Sequence, residues 1–264
     1  MDPSWTVKSN DGSRIAGYEL GGSGDVVLIA HATGLCGAMY QMLADELTDR
    51  FRVVAVDFRG HGNSSRSPRI DYRWNRMAED VTAVTEHIDA GPIHGFGHSM
   101  GGAALLLAEQ EAPSTFRSLF LFEPIIFPDD LSKLGQNVMG DAAQRRRVEF
   151  GSRAEVLYRY ASRSPFNQIL AGFLAAYIDN GFADQPDGRV RLKCLPEVEA
   201  QVFENGREVE LSAVQHLTTP TTVAVGHDEE GPNPARLGPP LAAALGRGEL
   251  IRYDHIGHFG PLQD

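Results

Sequence analysis

Apolar residues in this chain form short continuous runs that alternate with stretches of helical spacing. The runs predict six strands, at residues 25–30, 51–57, 92–96, 118–123, 221–225 and 249–253, of which those at 25–30, 51–57 and 118–123 are expected to be buried. The intervening periodicity predicts helices at residues 38–50, 76–89, 103–111 and 239–245. This alternation of strand and helix is typical of an α/β protein with a mostly parallel, twisted sheet flanked by helices.

The start of the chain departs from this alternation of strand and helix. Residues 5–8 and 14–20 are strand-like and flank Asn10-Asp11-Gly12, so they predict a hairpin ahead of the parallel strands. The hairpin makes the run at residues 118–123 the sixth strand along the chain.

After that sixth strand the pattern becomes helical for about 80 residues, with predicted helices at 130–150, 153–162, 166–180 and 196–205. We call residues 128–210 the insert, and residues 1–127 and 211–264 the predicted core. A segment of this length between strands is typical of a lid over a binding site. The insert contains Arg145-Arg146-Arg147, which we interpret as a solvated helix face, with a contact to an anionic substrate as the alternative.

The composition of the chain limits the kinds of ligand and partner that we expect it to bind. The formal net charge of −11 would repel phosphate backbones, so nucleic-acid binding is not expected. The cysteines, Cys36 and Cys194, match no metal-binding spacing, and neither a metal nor an organic cofactor is predicted. No secretory leader or membrane-spanning run is found, so we expect a cytoplasmic protein that acts on a small molecule. The pattern does not indicate an oligomeric state.

The most informative motif is Gly97-His98-Ser99-Met100-Gly101, between a predicted strand and a predicted helix. Glycines two residues before and after a serine allow the sharp turn of a nucleophile elbow. Such a turn would expose the Ser99 hydroxyl at the positive end of the helix dipole.

A nucleophilic serine needs a base, an acid that orients the base, and donors for the oxyanion. His258 is the predicted base, with His255 as the competitor. Asp228 is the predicted acid, and Glu123, Glu229 and Glu230 remain open as alternatives. All follow predicted strands, where ligands collect in open α/β sheets.

The backbone N–H groups of Met100 and Thr33 are the predicted oxyanion donors. Predicted substrate-binding residues are His31, His98, Phe166 and Tyr177.

Four segments together carry a family resemblance: His31-Ala32-Thr33-Gly34, Asp57-Phe58-Arg59-Gly60-His61-Gly62-Asn63-Ser64, Gly97-His98-Ser99-Met100-Gly101-Gly102 and Gly257-His258-Phe259. With them the chain resembles the α/β-hydrolase superfamily, in its lid-bearing branch of esterases, epoxide hydrolases, haloalkane dehalogenases and C–C bond hydrolases. Two positions depart from the family pattern. Ala32 stands where glycine is common, and Glu229 rather than Asp228 has the customary spacing from Gly226.

The resemblance also implies a reaction class. Epoxide hydrolases and haloalkane dehalogenases carry an aspartate at the elbow, whereas this chain has Ser99, which implies acyl chemistry. We therefore expect a serine hydrolase that cleaves a small or medium carboxylic ester or lactone through an acyl-enzyme. The alternatives are a C–C bond hydrolase, lyase or cyclase that uses the same triad, and a ligand-binding member without turnover.

Overall fold

The computed structural model describes residues 1–129, 138–228 and 233–264. Its strands are β1 (Trp5–Lys8), β2 (Arg14–Gly21), β3 (Asp25–Ala30), β4 (Phe51–Asp57), β5 (Ile93–His98), β6 (Phe116–Phe122), β7 (Glu149–Phe150), β8 (Phe182–Asp184), β9 (Val190–Leu192), β10 (Thr221–Val225) and β11 (Gly248–Arg252). Its α-helices are α1 (Gln41–Asp45), α2 (Trp74–Ile88), α3 (Met100–Glu111), α4 (Val138–Gln144), α5 (Arg153–Ala161), α6 (Ala171–Gly181), α7 (Pro196–Gly206) and α8 (Gly238–Ala244).

Eight of the strands form one central sheet in the order β1-β2-β4-β3-β5-β6-β10-β11. The hairpin strand β1 pairs antiparallel with β2, and β2 pairs antiparallel with β4. All other neighbours in this sheet are parallel. Apolar side chains on the two faces of the sheet belong to two separate buried clusters, as with Leu28 and Ile29 on β3. The predicted mostly parallel α/β sheet is therefore confirmed.

Parallel pairing places the carboxyl ends of β3, β5, β6, β10 and β11 along one edge of the sheet. Helix α3 starts at this edge after β5 and Ser99, and its first ten residues are buried. The chemistry-bearing residues singled out in the sequence follow these strand ends, so the topology gathers segments that are far apart in the chain.

The insert leaves and rejoins the core at adjacent points. Phe127 forms a parallel bridge with Glu210 and exchanges backbone hydrogen bonds with Val209 (2.9 Å) and Leu211 (2.8 Å). Between these points lie helices α4 to α7 and a small antiparallel sheet in the order β7-β9-β8. Helix α6 packs on the 3₁₀-helix Gly37–Tyr40, so the insert shares a buried apolar cluster with the central sheet.

The described part of the insert is less helical than the sequence predicts. The helix predicted at residues 130–150 is only α4 within the described residues, and it is followed by strand β7; residues 130–137 lie outside them. Strands β7 to β9 were not predicted, because their two or three residues are too short to show an alternating pattern and are specified by pairing across the insert. The helix predicted at residues 38–50 is limited to Gly37–Tyr40 and α1.

No helix in the described ranges has both the length and the apolar character that a membrane span requires.

Candidate active site

Ser99 lies in a tight turn between β5 and α3, as the glycine spacing predicts. Its backbone has φ 55° and ψ −116°, a conformation that costs a non-glycine residue energy and that recurs at functional sites. A Cβ at Gly97 would lie 2.5 Å from Gly102 Cα, and one at Gly101 would lie 2.1 Å from the carbonyl oxygen of Ala30. Both contacts involve backbone, so the helix, the strand and the elbow fit together only if these positions carry no side chain.

The structure brings Ser99 and His258 together across 159 residues of sequence. His258 Nε2 lies 3.2 Å from Ser99 Oγ, and His258 Nδ1 lies 2.6 Å from Glu123 Oε2. Because a carboxylate only accepts, Nδ1 carries the hydrogen and Nε2 is left to accept from the serine hydroxyl. Ser99 is 7% exposed and the His258 side chain 27% exposed, so a nearly buried hydroxyl lies beside a partly exposed imidazole.

Glu123, one of the alternative acids, is the carboxylate at His258. It follows β6 directly, is 1% exposed, and accepts a second hydrogen bond through Oε1 from the Gly226 N–H at 2.8 Å. Its backbone is in the left-handed region, with φ 43°. A buried carboxylate held by two donors keeps a defined orientation, which is what a residue that orients an imidazole requires.

Asp228, the predicted acid, is not at His258, and this prediction is wrong for the structure described here. Its Oδ1 accepts from Arg236 Nε at 2.7 Å and from Asn233 Nδ2 at 3.2 Å, and its side chain is 56% exposed. The reason is the strand order, because β6 lies between β5 and β10. The end of β6 is therefore nearer to Ser99 than the end of β10.

The remaining predicted alternatives can be placed only in part. Glu229 and Glu230 lie outside the described residues. His255, the competing base, is exposed and its Nε2 lies 2.9 Å from Asp264 Oδ2.

His98 was predicted to bind substrate, but it is fully buried beneath the site. Its Nε2–H donates to the carbonyl oxygen of His258 at 2.8 Å, so its Nδ1 accepts from the Tyr40 hydroxyl, also at 2.8 Å. Burial, together with repulsion from His258, lowers the pKa of His98 to about 3 and keeps the ring neutral. His98 thus fixes the backbone that carries the candidate base. Tyr40 was not predicted, since its contact with His98 spans 58 residues and has no local sequence signal.

His31, also predicted to bind substrate, is fully buried as well. Its Nδ1–H donates to the carbonyl oxygen of Ala32 at 2.8 Å, and its Nε2 accepts from the Phe58 N–H at 3.1 Å. Burial lowers the pKa of His31 to about 4. The ring joins the loops after β3 and β4 through these two hydrogen bonds.

Two backbone N–H groups were predicted as oxyanion donors, those of Thr33 and Met100. Among the described residues neither donates to a protein acceptor. Met100 is the first residue of α3, so its N–H is one of the unpaired donors at a helix start, and Thr33 lines a cavity. Their availability is compatible with the predicted role.

A cavity of about 330 Å³ lies between the loop after β3 and the insert. The loop contributes Thr33, Gly34 and Leu35, and Phe259 is the neighbour of His258 in the chain. Phe166, a predicted substrate-binding residue, lines this cavity. A larger cavity of about 750 Å³ lies at the amino ends of the strands, where His94, Ser118 and Thr222 line it, and so it lies away from Ser99.

Tyr177, the last predicted substrate-binding residue, is fully buried. Its hydroxyl donates to the carbonyl oxygen of Gly34 at 3.2 Å and accepts from Arg146 at 2.7 Å. Arg146 also pairs with Glu199 and donates to the Tyr160 hydroxyl at 2.9 Å. Burial alone would lower the pKa of Arg146, but Tyr177 and Glu199 raise it well above its usual value, so the guanidinium is charged.

The interpretation of the Arg145-Arg146-Arg147 run as a solvated face is thus corrected for Arg146, whereas Arg145 and Arg147 are exposed as expected. Arg146 lines the cavity with only 17% of its side chain exposed.

In the described part of the chain, no group of three or more His, Cys, Asp or Glu residues is arranged to hold a metal ion.

Comparisons with known proteins agree with the architecture. A family model described as Alpha/beta hydrolase family matches residues 26–264. The chain is 28% identical over 212 residues to 2-(acetamidomethylene)succinate hydrolase of Mesorhizobium japonicum, a match that covers 79% of this chain and 73% of that protein.

Solved structures show the same fold. That of E-2-(acetamidomethylene)succinate hydrolase superposes with a TM-score of 0.82 at 22% identity, over 98% of this chain and 93% of the other. A thermophilic esterase from Thermogutta terrifontis, solved with malate bound, superposes with a TM-score of 0.71 at 22% identity, over 98% and 92% of the two chains.

Proposed function

The chain belongs to the alpha/beta hydrolase family, and from this premise we propose that it is a serine hydrolase that cleaves a small carboxylic ester or lactone through an acyl-enzyme. The observation that carries the proposal is the continuous hydrogen-bonded path from Ser99 Oγ through the His258 imidazole to Glu123. Such a path is the arrangement that activates a serine hydroxyl as a nucleophile.

In the proposed first half-reaction, His258 Nε2 takes the proton of Ser99 as Oγ attacks the carbonyl carbon. The carbonyl oxygen becomes negative and is stabilised by the N–H groups of Thr33 and Met100. Loss of one such donor typically lowers kcat by about 10²- to 10³-fold. The tetrahedral intermediate collapses when its bond to the leaving oxygen breaks and His258 returns the proton to that oxygen.

In the second half-reaction, His258 takes a proton from water, and the resulting hydroxide attacks the acyl-enzyme carbonyl. Collapse of the second tetrahedral intermediate frees the acid and returns the proton to Ser99. Glu123 stays ionised throughout, holds the Nδ1–H of His258, and stabilises the imidazolium that forms in each step. The strained elbow and the buried Glu123 carboxylate keep the reacting groups in one orientation.

A second candidate is hydrolysis of an amide by the same steps. The Mesorhizobium japonicum relative is named for a substrate that contains an acetamido group, and it is similar over most of this chain. Comparing a p-nitrophenyl ester with the matching p-nitroanilide tests which acyl bond the protein cleaves faster. The C–C bond hydrolase, lyase and cyclase alternatives predict that Ser99 is reactive but neither of these substrates is cleaved.

The proposal is tested by fluorophosphonate labelling together with hydrolysis of p-nitrophenyl acetate and butyrate. The wild-type protein is expected to be labelled and to hydrolyse both esters, whereas Ser99→Ala loses both properties. Ser212→Ala, at an exposed serine outside the cavity, serves as the matched control and should behave as wild type. Failure of the wild type to label would indicate a ligand-binding protein without turnover. Ester hydrolysis that survives Ser99→Ala would refute the proposed nucleophile.

A further inference from the structure

The cavity beside the candidate active site is cationic, although the whole chain has a net charge of −11. Among the described residues, the charged side chains that line it are four arginines and one glutamate: Arg146, Arg147, Arg159, Arg163 and Glu199. A cavity lined by charge of one sign concentrates ligands of the opposite sign. The contrast with the acidic molecule suggests that the arginines serve a ligand and not solubility.

Pairing within the protein neutralises only part of this charge. Arg146 pairs with Glu199, and Arg147 pairs with Glu155 at 2.6 Å. Arg159 is close enough to lower the pKa of that same Glu155 carboxyl, so Glu155 is shared between two cations. The guanidinium of Arg163 has no hydrogen bond or ion pair with any described residue. Four guanidinium groups thus face two carboxylates, and the cavity keeps an excess of positive charge.

The cationic wall lies next to the predicted oxyanion donors. A Cβ at Gly34 would lie 2.5 Å from Glu199 Oε1 and 3.2 Å from an Arg146 guanidinium nitrogen. Gly34 directly follows Thr33, and consecutive Cα atoms are about 3.8 Å apart. Thr33 and the four arginines line the same cavity, so a negative group bound there shares the cavity with a carbonyl held at Thr33.

The rest of the lining suits a small, partly apolar molecule that carries such a group. Phe166, Phe203 and Phe259 provide an apolar wall, and the volume of about 330 Å³ is at the small end for ligand pockets. The Tyr160 hydroxyl accepts from Arg146, so its own hydrogen is available to an anion in the cavity.

We propose that this cavity binds a free carboxylate of the substrate, so that the enzyme acts on acyl compounds that carry a second, ionised carboxyl group. This inference rests on the proposed function, because it places the acyl carbonyl at Ser99. Arg159 and Arg163 bind the carboxylate directly, since their charge is the least compensated. Arg146 holds Tyr160 in position to donate to the same group.

The test compares monomethyl succinate with dimethyl succinate, two substrates that differ by one ionised carboxyl group, by the release of methanol. We expect kcat/KM to be at least about tenfold higher for the monomethyl ester, the range of one charge-assisted hydrogen bond. The double variant Arg159→Gln/Arg163→Gln should lose this preference, so that its kcat/KM values for the two esters lie within about twofold of each other. Raising the ionic strength should reduce the preference in the wild type.

Arg189→Gln is the matched control, because it removes one charge from an exposed arginine of the insert that lies outside the cavity. It should leave the preference unchanged. A wild type that hydrolyses both esters equally, or a control variant that loses the preference as fully as the double variant, would overturn the carboxylate site.

Binding to Ser99→Ala separates this inference from the proposed function. Calorimetry should show that Ser99→Ala binds monomethyl succinate more tightly than dimethyl succinate, and that adding the two arginine substitutions abolishes the difference. If this holds while the wild type hydrolyses neither ester, the carboxylate site stands and the ester hydrolase does not. If Ser99→Ala does not distinguish the two compounds, the carboxylate site is refuted, whatever the activity.

Discussion

Three histidines near the edge formed by the carboxyl ends of the strands are fully buried and neutral: His31, His61 and His98. Burial lowers the pKa of His31 to about 4 and is the largest cause that lowers the pKa of His61 and His98 to about 3. His98 holds the backbone of His258, and His31 holds the loop that carries Thr33. The candidate active site is therefore supported by imidazoles that must stay uncharged.

This support predicts a loss of stability in acid. Below pH 6.5 the unfolded chain protonates these histidines and the native chain does not, so the unfolded state binds more protons. The free energy of unfolding should fall as the pH drops from about 6.5 towards 4, by roughly 1 kcal/mol per pH unit for each histidine. Urea unfolding at pH 7 and pH 5 measures the change.

The variant His61→Gln separates the contribution of one buried histidine to this loss of stability from the contribution of carboxylates that also titrate. Its loss of stability between pH 7 and pH 5 should be smaller than that of the wild type by about 2 kcal/mol. His216→Gln, at an exposed histidine, should show the wild-type change. If His61→Gln and the wild type lose the same stability between pH 7 and pH 5, the burial of His61 does not cause this pH dependence.

At the scale of elements, Arg146 joins most of the helices of the insert. It follows α4, pairs with Glu199 on α7, and donates to hydroxyls on α5 and α6 through Tyr160 and Tyr177. Tyr177 extends the connection to the loop after β3 through Gly34. A mostly buried cation with three partners fixes how these helices lie against one another.

Removal of this cation should therefore destabilise the fold. Arg146→Met leaves the Glu199 carboxylate buried without its partner, so we expect the free energy of unfolding to fall by about 3 kcal/mol. The double variant Arg146→Met/Glu199→Met should recover most of that loss, because no unpaired charge remains. Arg147→Met breaks an exposed pair and should leave stability unchanged within error. If Arg147→Met lowers the free energy of unfolding in urea as much as Arg146→Met does, this structural role of Arg146 is contradicted.

The structural elements also differ in how far they could be predicted from the sequence. The parallel strands of the central sheet were predictable from their apolar runs and the hairpin from its Asn10-Asp11-Gly12 turn. The elbow was predictable because its glycines have fixed spacing. The burial of Arg146 was not predictable, since its three partners lie 14 to 53 residues away in the chain and two neighbouring arginines share its local sequence. Its burial is decided by packing between helices.

At the scale of the whole molecule, the order of the strands in the sheet determines which residues meet at the candidate active site. Ser99 follows β5, Glu123 follows β6 and His258 follows β11, and the sheet brings these three ends to one edge. Strand order decides which carboxylate reaches the imidazole, and a single sequence does not encode that order locally. This is why the meeting of Ser99 and His258 could be expected from their motifs, whereas the contact of His258 with Glu123 in place of Asp228 could not.

The choice between those two carboxylates is the most direct test of the account. In a matched pair of variants, Glu123→Gln and Asp228→Asn, each carboxylate is replaced by its amide and kcat and KM for ester hydrolysis are measured. We expect Glu123→Gln to lower kcat by about 10³- to 10⁴-fold with little change in KM, because an amide no longer stabilises the His258 imidazolium. Asp228→Asn should stay within about twofold of wild type, since its exposed carboxylate bonds Arg236. A folded Glu123→Gln that keeps wild-type kcat while Asp228→Asn loses it would contradict the account.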